Sequence, residues 1–180
     1  MKTFNNHPQW SNEPIRLNEA QMKNPALIFD EFFQNYHLNE VRQTMWQCLV
    51  AVVSGDDNHH ERINQIHFYG QIEMLVEGVW VMYKGKEDAP AASNNPRYSK
   101  PARLIERVEE QPEEVIKAVF SEVTLADLLE DLLPSWLRVA MINNDSSYSD
   151  GDSREILYEF YDQLLVFIKA LYVIYEVPAV

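Results

Sequence analysis

Apolar residues recur along much of this chain at intervals of three and four, the spacing that gathers them on one side of an α-helix. The longest such pattern lies near the C-terminus. Ile156, Phe160, Leu164, Phe167, Leu171 and Ile174 form one stripe, and Tyr158, Tyr161, Leu165, Ile168, Tyr172 and Tyr175 form a second beside it. The remaining face carries the charges, Glu155, Glu159, Asp162, Lys169 and Glu176, together with Val166 and Val173. A helix apolar over most of its circumference must be covered on most of it. The spacing therefore predicts a helix over 153–176 that is central to the fold or also meets a second subunit. Asp152 with Glu155 resembles a capping box, and Pro178 stops the helix.

Other stripes are shorter. Leu38, Val41, Met45, Leu49 and Val52 predict a helix with Asn39 as its candidate cap and Gly55 at its end. Phe68, Ile72, Leu75, Val79 and Met82 predict a long helix over 59–83, opened by Asn58 with Glu61. A strand over Val79–Tyr83 is the runner-up there, because that run is rich in strand formers and Gly70 and Gly78 weaken a helix. Asn24-Pro25 opens a short helix with Leu27, Ile28, Phe32 and Phe33. Pro101 opens another through Leu104, Ile105 and Val108. Pro112 with Glu113 and Glu114 suits a further helix start, followed by Val115, Val119 and Val123. Thr124 with Asp127 caps a piece carrying Leu125, Leu128, Leu129, Leu132 and Leu133, which Pro134 ends or kinks before helix resumes over 136–142.

Residues 1–21 read as a loose polar lead-in, and 22–180 as a single helical domain. Within it, 86–101 holds Pro90 and Pro96, has no periodicity and reads as an exposed loop, and 143–151 is a second, turn-rich one. No segment repeats at a fixed period. The expected fold is all-α: an antiparallel helical bundle of about five to seven helices around the C-terminal one.

Composition narrows the function classes. Lys and Arg total 15 against 28 Asp and Glu, a formal charge of −13, which repels nucleic acid and anionic lipid. Neither nucleic acid nor membrane is expected as a partner. Cys48 is the single cysteine, so no intramolecular disulfide forms; it lies in an apolar stretch and reads as a small buried hydrophobe. No export signal or membrane-length apolar run is visible, so the expected location is cytoplasmic.

Candidate chemistry is sparse. Asp57, His60 and His67 are the candidate metal ligands, in a stretch that also holds Asp56, His59 and Glu61. His60 and His67 stand two helical turns apart, roughly 10.5 Å by helical rise, which is too far to share one ion directly. Glu73 and Glu77 lie one turn apart, a spacing that serves acid–base work, although such a pair is usually a solvated edge. Asp145, Asp150 and Asp152 surround Gly151, but an EF-hand register then requires Tyr148 and Leu157 as ligands, which fails. No nucleophile elbow and no phosphate-binding glycine loop occur.

No catalytic residue and no cofactor is therefore expected. The leading expectation is a non-enzymatic helical protein acting through protein–protein contact or self-association. A basic protein would be its partner, or a second copy would bind at Tyr158, Tyr161, Tyr172 and Tyr175, where tyrosines suit a partly wet boundary. The alternatives are a metal-dependent enzyme using the His59–His67 region and a small-ligand binder with an aromatic pocket between helices.

Overall fold

The computed structural model describes residues 9–54, 59–84, 108–134 and 151–176. These residues are 87% helical and contain no strand, so the fold is all-α. In order they form a 3-10 turn over Gln9–Asn12, α1 (Glu19–Lys23), α2 (Ala26–Asn35), α3 (Leu38–Ser54) and α4 (His59–Lys84). Then follow α5 (Pro112–Glu122), a π-helical turn over Asp127–Leu132 and α6 (Gly151–Glu176). The loop expected over 86–101, the piece over 136–142 and the caps at Gly55 and Asn58 lie outside the described residues; of the short helix expected from Pro101, only 108–110 are described, and they are helical with Val108 buried.

Local chemistry explains most of the helix starts. Asn18 and Gln21 form a reciprocal capping box: Asn18 Oδ1 accepts the N–H groups of Ala20 and Gln21, and Gln21 Oε1 accepts the Asn18 N–H. Pro25 precedes α2 with φ −60° and ψ −19°, already in the helical region. Helix α3 starts one residue before Asn39, so Asn39 lies inside its first turn rather than at its cap. There the Glu40 carboxylate reaches back to the His37 N–H at 2.9 Å. Pro112 occupies the first turn of α5, as expected. Thr124 and Asp127 satisfy each other, with Asp127 Oδ2 accepting from the Thr124 N–H at 2.8 Å and its hydroxyl at 2.7 Å. The chain then widens into the π turn, where the Leu133 N–H bonds five residues back to the Leu128 carbonyl. Helix α6 starts at Gly151, which places Asp152 inside the helix rather than at its cap.

The helix expected over 59–83 forms as α4 and runs to Lys84, and the runner-up strand at 79–83 does not. Packing overrides local propensity there, since Leu75, Val76 and Val79 are all buried in the core. Helix α6 packs against α2, α3 and α5, and α2 also packs on α4. Phe160, Leu164, Phe167, Ile168 and Leu171 of α6 are buried, as the double stripe predicts. Aromatic rings lock the layers. Phe33 lies 5.3 Å from both Tyr172 and Tyr175, and Phe120 bridges Trp80 at 5.3 Å and Phe167 at 5.9 Å. Each large apolar side chain buried this way contributes about 1.5–3 kcal/mol. In α2, Phe29 joins the core and Leu27 faces outward, one place off the expected stripe. No helix among the described residues is long and apolar enough to cross a membrane.

Candidate functional site: a carboxylate slot filled by the chain's own N-terminal segment

Tyr69, Glu73 and Glu77 follow one another at four-residue spacing, so they share one face of α4. Trp80 continues that face. The sequence alone makes this a solvated edge beside the apolar stripe. The structure corrects that reading: Glu77 is 0% exposed and Glu73 only 7%.

What covers them is the segment expected to be loose. Residues 9–17 cross α4 as a strap, with Pro14 preventing regular helix in its middle. Glu77 takes two consecutive main-chain donors from it. Oε1 accepts the Ile15 N–H at 3.1 Å and Oε2 accepts the Arg16 N–H at 2.9 Å. The Arg16 guanidinium forms an ion pair with Glu73 Oε2, while the Tyr69 hydroxyl donates to the same carboxylate. Farther along the strap, the Asn12 carbonyl accepts from the Trp80 indole at 3.0 Å. The Asn12 side chain accepts the Ala126 N–H at 3.1 Å, a donor at the start of the helical stretch that leads into the π turn.

The electrostatics are unbalanced. Two buried carboxylates face one guanidinium, whose side chain is 46% exposed. Burial pushes the Glu73 carboxyl above its usual range; the Tyr69 hydroxyl and Arg16 pull it back, and Glu77 adds to the rise. Burial, then the Glu73 charge, raises Tyr69, which keeps its hydroxyl protonated as a donor.

This arrangement holds polypeptide. A carboxylate with both oxygens on main-chain N–H groups, next to one that holds an arginine, presents the charge-assisted contacts by which peptides are recognised. While the strap is seated, each oxygen of Glu77 accepts one main-chain N–H, and the carboxylate is fully buried.

The other expected residues fall elsewhere. His67 is exposed and lines an open groove of about 450 Å³ with Glu31, Asn35, Tyr36 and Gln71. Asp57 and the side chain of His60 lie outside the described residues, as does that of Cys48. Among the described residues, no three His, Cys, Asp or Glu side chains gather closely enough to hold a metal ion. Of the four tyrosines expected at an interface, Tyr161 is covered within the chain, 6.4 Å from Trp46. Tyr172 and Tyr175 flank Phe33, and Tyr172 bonds to Glu176. The side chain of Tyr158 is not among those described.

Arg16, Asn12, Tyr69 and Trp80 were not legible as site residues. The one available signal was that Glu73 and Glu77 are the only charges between Ile72 and Met82. Compared with known proteins, the chain matches no family model, no curated protein and no solved structure.

Proposed function

We propose that this chain is a non-enzymatic helical protein of the cytoplasm that works through contact with other polypeptides, either a basic protein or a second copy of itself. One observation carries the reading: its buried carboxylate pair is occupied by main-chain N–H groups and an arginine, the groups a polypeptide offers. The outer surface is consistent with it. Trp46 is 55% and Ile66 50% exposed, and a large aromatic side chain of that kind is a frequent anchor of protein contacts. A formal charge of −13 favours a basic partner and speeds its approach at low salt. The single cysteine suits a reducing compartment.

Two measurements test this. Light scattering at low and high concentration reads self-association. Cross-linking in the native cells, followed by identification of the joined peptides, reads a partner. The expected result is a stoichiometric second polypeptide, or a second copy, whose attachment weakens as salt rises. A chain that stays monomeric at high concentration and joins nothing in cells overturns the reading.

A further inference from the structure

The described contacts between the strap and α4 are polar. Of its described large apolar side chains, Ile15 points into solvent at 83% exposure and only Leu17, half-buried, packs against the core. The Ser11 hydroxyl is buried without a hydrogen-bond partner among the described residues, a cost that no contact returns. Segments held this way, with few buried apolar contacts, open far more readily than the core beneath them. The seat itself does not depend on the strap for its shape. Tyr69, Glu73, Glu77 and Trp80 all stand on one helix, and that helix is anchored from behind by Ile72, Leu75 and Val79 in the core.

Charge decides what fits best. The seat presents two carboxylates. The strap answers with Arg16, but Glu13 three residues earlier cancels that charge over the segment as a whole. The contacts made by Glu77 are to main-chain N–H groups, which most extended segments can supply. Only the arginine in the neighbouring position is selective, because its planar fork and fixed charge match a carboxylate. A segment that keeps an arginine at that position and carries a net positive charge would be drawn to the two carboxylates more strongly than the formally neutral strap.

We infer that the Glu73–Glu77 slot is a receptor for an extended, arginine-bearing segment of a basic partner protein, and that residues 9–17 fill it in cis until such a segment displaces them. This rests on the contact reading above and names its site. The tether gives the strap a high effective concentration, on the order of millimolar for short linkers, so a foreign segment binds the intact chain weakly. Weakening the cis occupant removes that competition.

The test uses the full chain and a fluorescein-labelled peptide copying residues 10–17 with Glu13→Lys. Fluorescence anisotropy reads binding, and the NMR signal of the Trp80 indole N–H reads displacement of Asn12. The peptide is expected to bind wild type weakly and the Arg16→Ala chain about tenfold tighter, a gain of about 1.4 kcal/mol. Glu73→Gln is expected to bind about tenfold more weakly than wild type. The same peptide with its arginine replaced by alanine should bind neither chain. That comparison is made on wild type, so it stands even if a variant fails to fold. Equal binding of the two peptides, no gain in Arg16→Ala, or an unmoved Trp80 signal overturns the slot. Any of these leaves the contact reading intact if cross-linking in cells still finds a partner. Conversely, a slot that takes the peptide while no partner or copy is found overturns the contact reading and, with it, the partner assigned to the slot here.

Discussion

Replacing Glu77 by glutamine keeps the size of the side chain and turns one of its two acceptors into a donor. One strap N–H, from Ile15 or Arg16, then faces another N–H in a buried site. Glu77→Gln is expected to lose about 1–3 kcal/mol, read as a lower urea midpoint at unchanged slope. A variant as stable as wild type would mean that the strap contributes nothing to the folded state. Glu73 predicts a pH dependence. Its carboxyl is raised above the usual 4.5, so the folded state binds this proton more tightly than the unfolded chain does. Its stabilising contribution is then full below that ordinary value and fades as pH rises through the raised one. Urea midpoints of wild type and Glu73→Gln, compared from mildly acid to neutral pH, should therefore shift in the variant's favour as pH rises. A constant difference rules the assignment out. Two glycines of α4 supply a further contrast. A Cβ at Gly70 would meet only Arg16 Nη1, at 3.8 Å, whereas one at Gly78 would lie 2.6 Å from Ile28 Cδ1 in the core. Gly70→Ala should gain about 0.5–1 kcal/mol from helix propensity. Gly78→Ala should lose about 1 kcal/mol or more to overpacking despite the same propensity gain, and Ile28→Val should restore part of it. Thermal melts of the three variants decide this.

At the scale of elements, periodicity was informative wherever a helix packs one or two apolar faces. The stripes of α4 and α6 lie where Phe68, Ile72, Leu75, Phe160 and Phe167 made them legible, and Pro25 and Pro112 mark two helix starts. Cap positions were read less well. At α3 the Glu40 carboxylate serves the main chain of His37, so the residue type at the cap itself gives no sign. The cover of the polar face of α4 is hidden from local pattern for a different reason. The helical period says which residues share a face, not what covers that face, and the cover comes from a segment 61 and 62 positions away in sequence. Local pattern has no access to a contact of that range. One element prediction separates capping from packing. Thr124→Ala removes the hydroxyl that bonds both ways with Asp127 and is expected to cost about 1 kcal/mol. Ile168→Ala in α6, at 0% exposure, should cost about 2–5 kcal/mol. Reversal of that order in urea unfolding would mean that α6 is not the better-packed element.

For the whole molecule, the all-α class followed from the recurring three-and-four spacing, from five glycines in 180 residues and from the lack of sustained alternation. The overall charge follows from composition alone, and it has a measurable consequence. At −13 the folded chain repels itself, and the screening length shortens from about 30 Å at 0.01 M salt to about 8 Å at 0.15 M. Added salt is therefore expected to raise the thermal midpoint by a few degrees, even though it weakens the ion pair between Arg16 and Glu73. A midpoint that falls with salt would show that paired charges outweigh the general repulsion.

The contact between Asn12 and Ala126 also sets an order of events during synthesis. The two residues are 114 positions apart, so at roughly 5–20 residues per second the first leaves the ribosome on the order of ten seconds before the second exists. Glu77 likewise emerges well after Arg16. For that interval the N-terminal stretch has no seat in its own chain, and a nascent arginine stands exposed beside whatever acidic surface is nearest. Closure of the strap on Ala126 thus waits for a residue made long after the strap itself.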